Sequence, residues 1–252
     1  MTLEPFELLL LAFAGFASGW INVIAGGGSL LTVPVMVFMG LPGPVANGTN
    51  RVAIIVQSIS AIASFRSKGF SDFRLSATLA AAASVGSFFG AQFGVSLDGV
   101  WFNRTVAAVM VAVMILMAAG EDKAKPREGA SSKAKNLVLG HILMIGAGFW
   151  GGFIQIGVGF LMMPILYRVM GLDLVRVNMH KVFIALVFTA VAFAVFASKV
   201  EIAWEAGAAL ALGTAVGGWM GAHATILKGE KFIKRALVAV LAAMAAKLLF
   251  FP

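Results

Sequence analysis

Polar breaks divide the chain into ten apolar segments, near 6–25, 29–41, 45–65, 74–96, 101–120, 136–156, 158–171, 175–197, 203–226 and 232–250. Most reach the ~20 residues that a helix needs to cross ~30 Å of hydrocarbon. Segments 29–41 and 158–171 are too short for a straightforward crossing. Each follows a glycine-rich break, Gly26-Gly27-Gly28 or Gly157-Val158-Gly159. The pattern predicts halves of discontinuous helices or short tilted spans at these two places. The one long polar stretch, 121–135, reads as a flexible linker between a first half, 1–120, and a second, 136–252. The expected architecture is all-α: a polytopic membrane helix bundle.

Composition narrows the class further. Apolar residues make up 60% of the 252, and charged residues only 12%. A soluble domain carries roughly 25% charged residues, so this chain could not cover a water-facing surface. Mean hydropathy of +0.97 excludes disorder, which needs low hydrophobicity and high charge. The net charge of +8 would suggest nucleic acid in a soluble protein. Here the positives sit in short loops, so membrane orientation explains them better and no nucleic-acid partner is expected. If all ten segments cross, Arg66, Lys68, Arg74, Lys123, Lys125, Arg127, Lys133, Lys135, Arg168, Arg176, Lys228, Lys231, Lys234 and Arg235 share one side. That side is then cytoplasmic and both termini face outward. An eight-span alternative, with the two short segments re-entrant, separates 66–74 from 228–235. The acidic start, Met1-Thr-Leu-Glu-Pro-Phe-Glu, lacks the basic region of a signal peptide, so the first segment is expected to be retained.

The halves repeat at a shift of about 130 residues. Gly15-Phe16 with Gly19 matches Gly148-Phe149 with Gly152. Asn50-Arg51-Val52 matches His180-Lys181-Val182, and Gly86-x-x-x-Gly90-Ala91-Gln92 matches Gly217-x-x-x-Gly221-Ala222-His223. Five crossings per half is an odd number, so the two repeats are expected to be inverted and pseudo-symmetric, with glycine-broken helices. That plan recurs in secondary transporters, whose substrate site lies near the repeat interface.

Candidate chemistry follows from where charge is missing. Every Asp and Glu lies at a terminus, in a loop or at a segment end, which leaves no internal carboxylate for a cation pump or proton relay. The interior ionisable groups are Arg51, Lys181, His180 and His223. With no buried acid to pair with, a visiting anion is the expected partner, although Arg51 and Lys181 lie near enough to segment ends to snorkel to headgroups. Thr49, Asn50 and Asn178 precede or flank these cations and could contact the anion or simply cap a helix. Gly27, Gly28 and Ser29 could offer backbone N–H groups or serve close packing. Asn22 and Gln155, one segment earlier in each half, face the choice between ligand contact and an interhelical hydrogen bond. The candidate substrate-binding set is therefore Asn22, Gly27, Gly28, Ser29, Thr49, Asn50, Arg51, Gln155, Asn178, His180 and Lys181. His180 could also titrate and couple proton movement. The Gly86/Gly90 and Gly217/Gly221 pairs are expected to serve helix packing. Without Cys, HExxH or GxSxG, no enzyme, metal site or cofactor is expected.

Gly26-Gly27-Gly28-Ser29-Leu30-Leu31-x-x-Pro34, Ala46-Asn47-Gly48-Thr49-Asn50 and Arg66-x-x-Gly69 give the chain a pattern that resembles the sulfite exporter TauE/SafE family over nearly its whole length. The resemblance implies a multi-pass carrier of the bacterial inner membrane, moving sulfite, thiosulfate, sulfoacetate or related organosulfur anions. It also implies seven or eight spans, against the ten counted above. Taken together, a secondary transporter is expected, exporting a small sulfur oxyanion or sulfonate by alternating access. A passive anion channel or a structural subunit is the alternative. The expected partners are that anion, the lipid bilayer and a second copy of the chain.

Overall fold

The computed structural model describes residues 3–69, 73–119 and 134–225, and these are predominantly helical. Nine α-helices occur among them: α1 (Pro5–Ala25), α2 (Ser29–Phe38), α3 (Gly43–Ser67), α4 (Phe73–Gly94), α5 (Gly99–Ala119), α6 (Leu137–Phe153), α7 (Val158–Pro164), α8 (Leu174–Lys199) and α9 (Trp204–Thr225). A π-helical turn, Ile165–Val169, extends α7. Each matches one of the first nine apolar segments. The predicted linker, apart from its last two residues, and the tenth segment lie outside the described residues.

Local chemistry sets the helix ends. At the start of α1 the Glu4 N–H donates to Glu7 Oε2 at 2.9 Å, with Pro5 in the first turn, where no N–H partner is needed. Gly26, at φ 84°, ends the helix, and its N–H donates to Asn22 O. That left-handed conformation suits glycine because a Cβ is disfavoured there. Asp173 caps α8 by accepting from the Arg176 N–H at 2.9 Å, and the Arg176 guanidinium closes on the same carboxylate at 2.6 Å. Partial burial pushes the Asp173 carboxyl up, but the hydrogen bonds and charge of Arg176 outweigh it and hold the group below its ordinary value.

The two short helices double back on their predecessors. Met170 O accepts from Lys135 N–H and Val169 O from Asn136 Nδ2. Residues 158–170 therefore return to the start of α6. In the first half, Gly28 lies against Ser18 O, while Leu30, Val33 and Met36 share an apolar cluster with Leu11. The glycine-rich breaks are thus the turns of helical hairpins, rather than interruptions in one continuing axis. The physical reason is that a short apolar helix buries more surface along its neighbour than beyond its end.

Four helices form two tight parallel seams. In the α4–α6 seam, a Cβ on Gly86, Gly90, Gly148 or Gly152 would overlap a carbonyl oxygen of the facing helix: Ile145, Phe149, Ala83 or Ser87 respectively. In the α1–α9 seam, Gly213 and Gly217 press on Ala12 O and Phe16 O, while Gly15 and Gly19 press on Leu210 O and Thr214 O. Backbones this close gain dispersion contact without relying on water. Helices α3 and α8 pass through the centre, touching each other and packing on α9 and α4 respectively.

Large apolar side chains face outward while polar and charged ones are buried beside the apolar core. Phe6, Phe13, Val138 and Leu212 face outward at 72–77% exposure, while Asn47, Asn50, Arg51, Gln57, Gln155, His180 and Lys181 are buried. A lipid-facing surface needs this arrangement. By length and hydropathy alone, two described helices can cross a membrane: Pro5–Ile24 and Leu174–Lys199. Helix α3 has 25 residues, about 37 Å at 1.5 Å per residue, but its inward polar stripe lowers its average hydropathy.

Candidate functional site

The two hairpin turns meet at the centre of the bundle. A Cβ on Gly26 would lie 2.6 Å from Gly159 Cα, so the two backbones are in direct contact. Beside this crossing is a small cavity, open on one side. Its polar lining comes from Asn22 of α1, Ser29 of α2, Gln57 and Ser58 of α3, Gln155 at the second turn and Lys181 of α8. Ile54, Val158, Met162, Val182, Ala185 and Phe188 form apolar walls. No acidic side chain lines it among the described residues.

The polar groups are ordered by one another. Asn22 Nδ2 donates to Gln57 Oε1 at 2.7 Å, and Asn22 Oδ1 accepts from the Gly28 N–H at 3.3 Å. Gln57 therefore has its acceptor engaged, whereas its Nε2 is buried with no partner among the described residues. The same holds for Ser58 Oγ and Gln155 Oε1. Orphaned polar atoms in a cavity are unfavourable, at about 1–3 kcal/mol each, until something bonds to them. Gln155 is held by Thr189 Oγ1, 2.9 Å from its Nε2. Its backbone sits at φ 62°, a region that a non-glycine residue enters at a penalty. Lys181 Nζ donates to Val23 O at 2.9 Å and Asn178 Oδ1 at 2.8 Å.

Arg51 is placed differently. Its guanidinium donates to Gly151 O, Gly152 O and Asn47 Oδ1 and lies 4.4 Å from the Phe196 ring centroid. Asn47 Nδ2 donates to Phe153 O at 2.9 Å. The last carbonyls of α6, which have no partner within their own helix, are thus closed by two side chains of α3. A cation at a helix C-terminus also meets the negative end of the dipole. The expectation of an anion as Arg51's partner meets backbone oxygens instead. Snorkelling is equally absent: Arg51 is 0% and Lys181 3% exposed.

The structure gathers Asn22, Ser29, Gln155 and Lys181 at the cavity and leaves the other expected residues around it. Asn50 lies behind Ser29, donating to Ser29 Oγ and accepting from Thr32 Oγ1, so it ties α2 to α3. Asn178 accepts from Lys181, and Gly28 gives its N–H to Asn22. Gly27 lies beside the Phe160 ring. Thr49 Oγ1 accepts from the Ala203 N–H, and His180 Nδ1 pairs with Ser76 Oγ at 2.7 Å. Gln57 and Ser58 escaped the motif reading. Their signal is a stripe at 3–4 residue spacing, Asn47, Asn50, Arg51, Ile54, Gln57, Ser58, Ala61 and Ser64, all buried. It is polar where an ordinary amphipathic helix would be apolar.

A family model described as Sulfite exporter TauE/SafE matches residues 11–248. The chain belongs to the TauE/SafE family. This is a family of membrane transporters, not enzymes. Curated relatives carry corresponding names: a probable membrane transporter protein, ORF9, of Sinorhizobium sp is 28% identical over 98% of this chain and 94% of its own length. One of Haemophilus influenzae is 26% identical over 97% and 95%. YfcA of Escherichia coli K12, likewise named a probable membrane transporter protein, is 26% identical over 98% and 91%. No solved structure matches the chain. The outward apolar surface and the TauE/SafE relatives agree on a membrane location.

Proposed function

We propose that this TauE/SafE chain is a multi-pass carrier of the bacterial inner membrane that exports a small sulfur oxyanion or sulfonate by alternating access. The observation that carries the reading is the central cavity, where an ammonium, an amide N–H and a hydroxyl converge without any acid. Such donors can replace the hydration shell of an anion. Asn22, Ser29, Gln57, Ser58, Gln155 and Lys181 would touch the substrate. Asn50 and Asn178 would position Ser29 and Lys181. Arg51 would hold the scaffold.

Two repeats of inverted orientation, 1–120 and 136–252, are supported by the crosswise pairing of the halves. Arg51 of the first closes the end of α6 in the second, and Lys181 of the second bonds Val23 O near the end of α1 in the first. The parallel run of α3 along α9 and of α4 along α8 supports ten segments of alternating direction. Export is favoured by the membrane potential, worth ~2.3 kcal/mol per charge per 100 mV for an exiting anion.

The test is flux in proteoliposomes with sulfite, thiosulfate, simple sulfonates, sulfate and phosphate. Saturable exchange of a sulfur anion is expected, with no ohmic conductance. Lys181→Gln is expected to lower uptake by at least about tenfold, the loss of one charge-assisted hydrogen bond. Wild-type flux in Lys181→Gln would remove the proposed site.

A further inference from the structure

We propose that the central cavity admits a singly charged oxyanion and rejects a doubly charged one. This rests on the carrier reading above and narrows its substrate class. Among the described residues, one cation lines the cavity, Lys181. Its counterpart in the other half, Arg51, is fully buried elsewhere, with its guanidinium against three protein oxygens and the Phe196 ring. His180 is turned to Ser76 and does not line the cavity. The remaining polar side chains lining the space, Asn22, Ser29, Gln57, Ser58 and Gln155, are neutral.

Neutral donors orient the oxygens of an anion but do not cancel its charge. Ile54, Val182 and Phe188 make the rest of the wall apolar, so a second negative charge would stay uncompensated in a poorly polarisable surround. The Lys181 ammonium already shares its field with Val23 O and Asn178 Oδ1, which leaves at most one unit to balance the guest. Hydrogen sulfite and simple alkyl sulfonates meet this condition. Sulfite dianion, sulfate, thiosulfate and sulfoacetate do not.

The experiment uses the purified full chain in proteoliposomes and three probes. Methanesulfonate carries one charge at every working pH, sulfate carries two, and sulfite loses its second proton near neutrality. Methanesulfonate uptake is expected to stay level from mildly acidic to mildly alkaline pH. Sulfate should compete at least about tenfold less well than methanesulfonate. Sulfite uptake should fall with rising pH in step with the loss of hydrogen sulfite. Sulfate competing as well as methanesulfonate, or sulfite uptake holding level into alkaline pH, would overturn the charge restriction alone. A protein that moves none of the three overturns the carrier reading and this inference with it.

Discussion

Arg51 and Lys181 occupy matching positions in the two halves and are both buried, yet they are held differently. The Arg51 guanidinium supplies the donors that the last turn of α6 lacks. Arg51→Met would leave the Gly151 and Gly152 carbonyls without those donors, at about 1–3 kcal/mol each, partly offset by no longer burying a charge. A net destabilisation of about 2 kcal/mol is expected from these opposing terms. Thermal unfolding in detergent would report it, with Arg51→Lys intermediate. An unchanged midpoint in Arg51→Met would show that the carbonyls find other partners. The sequence marks both residues as interior cations, because the acids are confined to ends and loops. It cannot name their partners, because every residue carries a carbonyl and only the fold decides which helix end lies alongside. Gln57 and Ser58 were hidden for a related reason: they are ordinary polar residues whose meaning lies in facing the same way as Asn50 and Arg51.

At the scale of helices, the glycine seams dominate. Gly86/Gly90 and Gly217/Gly221 were legible as packing pairs from their spacing alone. Gly148/Gly152 and Gly15/Gly19 were legible only as markers of the repeat, yet they are the facing halves of the same two seams. Gly148→Val would drive a side chain into Ala83 O and part α4 from α6, with a loss of about 3 kcal/mol or more at a site that cannot repack. Gly146, two residues away on the same helix, has open space around it. Gly146→Ala should therefore leave the unfolding midpoint where it is or raise it slightly. Equal effects from the two substitutions would contradict the seam. The direction of α2 and α7 was beyond the sequence, since hydrophobic periodicity has no sign. A short apolar helix after a glycine run reads alike whether it continues or doubles back.

For the whole molecule, the order of the nine described helices was legible from hydropathy. The path across the bilayer is what separates ten alternating segments from eight spans with two re-entrant arms. The chain has no cysteine, so single introduced thiols report cleanly. With ten segments, Ser67→Cys and Leu174→Cys, both exposed positions, should react with an impermeant maleimide from the same face. Glu201→Cys, also exposed, should react from the opposite one. Labelling of Ser67→Cys and Leu174→Cys from opposite faces would favour eight spans. The seams belong to this scale too, since α1 pairs with α9 and α6 with α4 across long stretches of chain.

The crosswise caps have a consequence for how the protein is made. A ribosome that has delivered only residues 1–120 has released Arg51 and Asn47 but not the α6 carbonyls they close on. Val23 likewise waits for a lysine more than 150 residues downstream. Neither half is fully capped while it is alone. Assembly is therefore a late, joint event, and two separately translated fragments should rescue each other inside one cell where each singly is degraded.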